Sequence, residues 1–206
     1  MEGTSVKTIR YLALGDSYTK GESVSQRESF PYLLTDHLNK DSHSEVLETK
    51  VIAQTGWTTT SLLASINEQE FTDTYDLVTL LIGVNNQYQG KSIEAYQRDF
   101  IQCLQKATEL AGGKSNKVVV ISIPDYGYTP FGAGNREVIS ADIDAFNGVN
   151  KSIADSIGVS YINITSISRS GFEGLVASDG LHPSGKQYKL WVDAMQVVVK
   201  EKVWMK

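Results

Sequence analysis

Apolar segments that are short enough to be strands, each followed by a turn, constrain the fold of this chain most strongly. The most continuous one covers residues 76–82, where Thr79 is the single polar side chain between Leu77 and Ile82. Such a run is typical of a strand buried on both faces of a parallel sheet. Four further segments of this kind lie at residues 9–14, 50–53, 118–123 and 159–164.

Segments with helical spacing of apolar residues separate these strands. The predicted helices lie at residues 29–38, 58–66, 92–111 and 137–157, and a last one begins at Pro183. In the fourth, Ile139, Phe146 and Ile157 are among the residues expected to face inward. Strands that alternate with helices, without hairpin signals, predict βαβ units and a parallel sheet covered on both faces. We therefore expect a five-stranded, flavodoxin-like sheet in the order 2-1-3-4-5.

Composition limits the class of protein. The 206 residues predict one domain, 1–206, and 41% apolar with 21% charged residues is typical of a soluble globular protein. A net charge of −5 without a basic block argues against nucleic-acid binding. A lone Cys103, expected in the core, excludes an intrachain disulfide. No apolar run reaches the roughly 18 residues of a membrane span, and without a signal-peptide pattern we expect a cytoplasmic location.

Residues able to support catalysis follow the predicted strands. Ligands of an open parallel sheet bind outside the carboxyl ends of its strands, so these residues should share one edge. A serine there can be a nucleophile only if a base and an oxyanion site reach it. In chain order the strand ends supply Gly15-Asp16-Ser17, then Gly56, then Gly83-Val84-Asn85, then a loop with Tyr126, Tyr128 and Phe131, and finally a loop with Asp179 and His182.

The base can be sought by elimination among three histidines. His37 lies within a predicted helix beside apolar positions, and His43 lies in a polar loop. His182 comes just before a helix and three residues after Asp179. This spacing lets a carboxylate and an imidazole of one turn meet, with Asp179 on Nδ1 and Nε2 left for Ser17.

Together these segments resemble the SGNH, or GDSL-type, esterases and lipases. The resemblance lies in four blocks, residues 14–18, 54–56, 83–85 and 178–183. It implies a three-layer α/β/α sandwich and a carboxylic ester hydrolase that needs no cofactor and no metal. The implied triad is Ser17, Asp179 and His182, and the implied oxyanion donors are the N–H groups of Ser17 and Gly56 and the side-chain amide of Asn85.

One position departs from the family pattern. The third block usually continues with Asp, and here Asn86 stands in its place. Asn is nearly isosteric and can hold the loop by hydrogen bonds, but a role that needs a charge there is in doubt. Asp16, the other carboxylate beside Ser17, is assigned to the turn.

The expected function is a serine esterase that acts through an acyl-enzyme on a small-molecule ester. Short acyl groups, such as acetyl on a sugar, are favoured because no long hydrophobic loop or lid is visible. A lysophospholipase or thioesterase of the same fold stays open, as does a non-catalytic binding module. Tyr126, Tyr128 and Phe131 either line an acyl or sugar pocket or pack their own loop.

Overall fold

The computed structural model describes residues 6–171 and 173–204. Its strands are β1 (Lys7–Gly15), β2 (Ser44–Ala53), β3 (Leu77–Leu81), β4 (Val118–Ile121) and β5 (Ser160–Ile162). They form one parallel sheet in the order β2-β1-β3-β4-β5. This confirms the predicted strand order and the parallel pairing.

Helices cover both faces of the sheet and complete the predicted α/β/α sandwich. The described α-helices are α1 (Ser17–Lys20), α2 (Phe30–Asn39), α3 (Thr59–Asn67), α4 (Val84–Tyr88), α5 (Ile93–Leu110), α6 (Arg136–Ser156), α7 (Thr165–Ser168) and α8 (Gly185–Trp204). α2 and α8 pack against each other in one layer, and α5 packs between α3 and α6 in the other. None of the described helices is long and apolar enough to cross a membrane.

Buried aromatic side chains join neighbouring helices within each layer. Tyr96 stacks at 4.6 Å on Phe146 from α6, while Trp191 of α8 lies 6.2 Å from Phe30 of α2. Cys103 is buried in the core, as predicted. Burial of each large apolar side chain stabilises the fold by roughly 1.5–3 kcal/mol, so these contacts hold the helices of each layer together.

Differences from the predicted elements lie at the helix ends and in the loops. The prediction that Ile157 faces inward is wrong, because α6 ends at Ser156 and Ile157 is 46% exposed. The short helices α1, α4 and α7 lie in segments predicted as turns or loops. Their four or five residues are too few to show helical periodicity.

The register of the central strands brings three turns to one level. Gly15, the last residue of β1, pairs with Ala53 of β2 and with Leu81 of β3. Each of these residues ends its strand. The turns that follow β1, β2 and β3 therefore leave the sheet side by side at its carboxyl edge.

Candidate active site

The turn after β1 places Ser17 at this edge. A Cβ at Gly15 would lie 2.2 Å from Thr19 Oγ1 and 2.3 Å from the carbonyl oxygen of Leu81, so only glycine fits. Because of this close approach the chain can turn directly from the strand into α1. Ser17 is the first residue of α1 and lines a cavity of about 290 Å³.

Asp16 organises the turn from inside the core. Its Oδ1 accepts a 3.0 Å hydrogen bond from the N–H of Tyr18, which makes Asp16 the N-cap of α1. Burial raises the pKa of Asp16 to about 7, and the backbone N–H groups of Tyr18 and Gly83 offset this only in part. The carboxyl group therefore serves the turn, the role that the sequence reasoning assigns to it.

Asp179 and His182 form a close pair in the loop before α8. His182 Nδ1 lies 2.5 Å from Asp179 Oδ2. The other oxygen, Oδ1, accepts hydrogen bonds from the backbone N–H groups of Leu181 at 2.9 Å and of His182 at 3.0 Å. The carboxylate thus orients the imidazole, and an Nδ1–H tautomer leaves Nε2 as an acceptor.

The charge of Asp179 is held by hydrogen bonds. Burial acts to raise its pKa, but donors outweigh burial and place the pKa well below the usual range. These donors are the hydroxyl of Ser23, at 2.6 Å, the ring of His182 and the two backbone N–H groups. Asp179 is therefore a carboxylate at any pH where the imidazole can act as a base.

Ser17 and His182 line the same cavity. Both are largely buried, with exposed fractions of 5% and 9%. Tyr18 supports the imidazole edge-on, with ring centroids 5.9 Å apart. Among the described residues no hydrogen bond joins the Ser17 hydroxyl to the imidazole, and such bonds often form only when substrate binds.

Gly56 and Asn85 lie on the wall of this cavity as well. Gly56 has a φ of +85°, which favours glycine even though the space around a Cβ would be open. The Asn85 side-chain amide donates a 2.9 Å hydrogen bond to the carbonyl oxygen of Trp57. That bond uses one of the two N–H groups of the amide, and it ties the turn after β3 to the turn after β2.

Asn86, the residue after Asn85, is buried. Its Oδ1 accepts a 3.0 Å hydrogen bond from the N–H of Thr59, and its Nδ2 donates to Thr59 Oγ1 at 2.8 Å. Thr59 is the first residue of α3. Asn86 therefore fastens α4 to the start of α3 by neutral hydrogen bonds, as expected of an isosteric replacement for Asp.

Aromatic rings form the apolar side of the cavity. Tyr126 and Phe131 are on its wall, together with Tyr88, which the sequence reasoning missed. The three ring centroids are 6.1–6.3 Å apart, and we call these residues the aromatic cluster. Tyr88 follows Asn85 by three residues, so a helix at this point was the signal that could have identified it. The structure places Tyr128 away from the wall, with the Arg136 guanidinium 4.7 Å from its ring.

The other two histidines lie in different surroundings. His37 is in α2, and burial lowers its pKa. His43 pairs with Asp41 at 3.1 Å in the loop before β2. Neither residue lines the cavity that contains Ser17.

A family model matches most of the chain. The model of the GDSL-like lipase/acylhydrolase family covers residues 13–190, a range that includes all four sequence blocks. No curated protein sequence matches the chain.

Solved structures of similar shape are numerous, and three illustrate them. The crystal structure of TesA is 19% identical with a TM-score of 0.73, and the match covers 94% of this chain and 99% of that one. The lipase Lip_vut3 from a goat rumen metagenome is 21% identical with a TM-score of 0.76, covering 92% and 97%. A Clostridium thermocellum family 3 carbohydrate esterase is 19% identical with a TM-score of 0.71, covering 95% and 98%. At these identities the likeness shows the fold.

The buried carboxyl of Asp16 predicts a pH-dependent stability. Its pKa is about 7 in the fold and about 4 in an unfolded chain. Asp16 therefore keeps its proton up to a higher pH in the folded state than in the unfolded chain. As a result, the free energy of unfolding falls as pH rises from about 4 to about 7. We expect the free energy of unfolding of wild type to fall by roughly 2–4 kcal/mol relative to Asp16→Asn over this range. Urea denaturation at several pH values measures this change. If the free energy of unfolding depends on pH in the same way for both proteins, the prediction is wrong.

The contacts of Asn86 predict a difference between two substitutions. Asn86→Ala should lower the free energy of unfolding by about 1–3 kcal/mol, because the buried N–H of Thr59 loses its acceptor. Asn86→Asp is the matched control, since a carboxylate can accept from both the N–H and the hydroxyl of Thr59. Urea denaturation at neutral pH compares them, and equal stability of the Ala and Asp variants would refute the role given to Asn86.

Proposed function

Because this chain belongs to the GDSL-like lipase/acylhydrolase family and is thus a carboxylic ester hydrolase, we propose that it is a serine esterase with an acyl-enzyme intermediate. The observation that carries the proposal is the 2.5 Å contact from Asp179 to His182, a residue that lines the same cavity as Ser17. A serine, an oriented base and a carboxylate are the parts that nucleophilic acyl transfer requires.

The first half of the reaction forms the acyl-enzyme. Ser17 Oγ attacks the ester carbonyl carbon while His182 Nε2 takes its proton. Asp179 holds the Nδ1–H and stabilises the positive charge that develops on the imidazole. When the tetrahedral intermediate collapses, the proton passes from Nε2 to the alcohol oxygen, and the alcohol leaves with the acyl group bound to Ser17.

Three donors are proposed for the oxyanion of the tetrahedral intermediate. They are the backbone N–H groups of Ser17 and Gly56 and the second N–H of the Asn85 amide. The hydrogen bond from Asn85 to Trp57 supports this role, because it holds the amide in place before substrate arrives. Preorganised donors of this kind stabilise the transition state without reorganisation during the reaction.

The second half regenerates the enzyme. His182 takes a proton from a water molecule, which attacks the acyl carbonyl carbon through a second tetrahedral intermediate. The same donors hold its oxyanion. Collapse releases the carboxylic acid, and Ser17 Oγ recovers its proton from Nε2.

The cavity favours a short acyl group. Its volume of about 290 Å³ is at the lower end of ligand pockets, which are roughly 300–1,000 Å³. The rings of the aromatic cluster limit the length of acyl chain that the cavity can hold, because they form part of its wall. Tyr126 is buried, while Tyr88 and Phe131 are exposed at the rim of the cavity. An acetyl or similarly small ester, including one on a sugar, fits this space. The similar fold of a carbohydrate esterase is compatible with that choice.

Turnover of p-nitrophenyl acetate tests the proposal directly. We expect hydrolysis by the wild type, none above background by Ser17→Ala, and a kcat about 10²–10³-fold lower in Asn85→Ala, because one oxyanion donor is lost. Intact-mass spectrometry after acid quench should detect an acetyl group on the wild type and none on Ser17→Ala.

The same experiment distinguishes a serine esterase from a non-catalytic binding module. A wild type that binds the ester without turnover would favour a non-catalytic module. Equal rates for wild type and Ser17→Ala would exclude Ser17 as nucleophile. Circular dichroism of each variant verifies that an inactive protein is folded.

Acyl-chain length provides a second prediction. For p-nitrophenyl esters, kcat/KM should be highest for acetate and butyrate and should fall for octanoate and dodecanoate, because longer chains meet the aromatic cluster. Phe131→Ala should shift the optimum to longer chains, since it opens the rim.

Tyr128→Ala is the comparison variant for this series. Its ring lies outside the cavity wall, so the order of substrates should match the wild type. A preference for dodecanoate in the wild type would instead favour a lipase or lysophospholipase, and acyl-coenzyme A thioesters added to the panel test for a thioesterase.

A further inference from the structure

The three residues after α1, Gly21, Glu22 and Ser23, touch three parts of the site at once, and we call them the bridge segment. We propose that Ser23 is a positioning residue, which holds Asp179 and through it His182, and that Glu22 holds the turn that carries Gly56. This inference rests on the proposed esterase function and adds to it two residues outside the four sequence blocks.

The bridge segment starts from Ser17 itself. The backbone N–H groups of Gly21 and Glu22 both donate to the carbonyl oxygen of Ser17, each at 3.0 Å. Gly21 ends α1 in the left-handed conformation. The position of the segment is therefore set by the residue proposed as nucleophile.

Ser23 contacts the imidazole–carboxylate pair. Its hydroxyl donates at 2.6 Å to Asp179 Oδ2, the oxygen that also meets His182 Nδ1. Oδ1 accepts from two backbone N–H groups, and a carboxylate offers about four acceptor positions. The Ser23 hydroxyl therefore completes the set and opposes rotation of the carboxylate away from the imidazole.

The backbone of Ser23 supports a specific role. Its φ is +65°, the one positive value at a non-glycine residue in the described part of the chain. Residues other than glycine rarely adopt a positive φ, and those that do cluster at functional sites. A glycine would fit the backbone better and would lack the hydroxyl.

Glu22 contacts the second turn. Its Oε2 accepts hydrogen bonds from the Thr55 hydroxyl and, at 2.9 Å, from Lys20 Nζ. The bond from Thr55 and the bond from Lys20 lower the pKa of Glu22. Thr55 immediately precedes Gly56, so the contact ties the proposed oxyanion turn to the end of α1.

Substitution of Ser23 by glycine isolates the hydroxyl, because it removes the side chain and suits the backbone. We expect kcat on p-nitrophenyl acetate to fall about tenfold, with KM within about twofold of wild type, since a bond to a charged group is lost and Ser23 does not line the cavity. The midpoint of urea unfolding of Ser23→Gly should equal or exceed that of the wild type.

Thr55→Val tests the contact between Glu22 and Thr55. It should likewise lower kcat, because the turn that carries Gly56 is held less firmly.

Ser25→Ala is the matched control. Ser25 also donates to a carboxylate, Glu28 Oε2 at 2.7 Å, but no hydrogen bond in the described part of the chain joins it to the proposed site residues. Its kcat and KM should match the wild type. Proton NMR adds a direct readout: the downfield resonance of the His182 Nδ1–H should move in Ser23→Gly and stay in place in Ser25→Ala.

The outcomes distinguish this proposal from the proposed function. If the wild type hydrolyses the ester and Ser23→Gly matches its kcat, or if kcat falls only together with stability, the positioning role is wrong. If the wild type hydrolyses no ester, the esterase proposal fails, and the NMR comparison alone decides the role of Ser23. An unmoved Nδ1–H resonance in Ser23→Gly overturns it in either case.

Discussion

The common level at which β1, β2 and β3 end is the constraint on which the site depends. Gly15 pairs with Ala53 on one side and with Leu81 on the other. No side chain could replace its hydrogen, because Thr19 and a carbonyl oxygen lie too close. A shift of one residue between these strands would turn every side chain to the opposite face of the sheet. The register that buries the core therefore also aligns Ser17, Gly56 and Asn85 at one edge.

Buried polar groups then fix the turns that this register delivers. Asp16 caps α1 from inside the core, and Asn86 joins α4 to the start of α3. Burial of such groups costs free energy unless they are hydrogen-bonded. Because hydrogen bonds are directional, each of these groups fixes the conformation of its turn more tightly than apolar packing could. The Asp179 carboxylate accepts from several donors in the same way, and so orients His182.

Long periodic segments account for most of what could be predicted. The buried run around Leu80 and the long amphipathic pattern of α5 identified a strand and a helix, because both extend over many residues. Ile157 was misplaced since its helix ends one residue earlier. Tyr88 and Ser23 were not predicted from the sequence, because α4 has only five residues and the bridge segment has no periodicity. Their positions follow from contacts with residues distant in sequence.

The sequence by itself determined the alternation of strands and helices and the four blocks that mark the family. These follow from local hydrophobic periodicity and from short residue patterns, which need no knowledge of distant contacts. Only the tertiary structure decided which groups meet. It placed the aromatic cluster on the cavity wall and Tyr128 off it, and it brought the Ser23 hydroxyl to Asp179, 156 residues further along the chain. Contacts of that kind depend on packing and register across the sheet, where separation in sequence carries no information about distance.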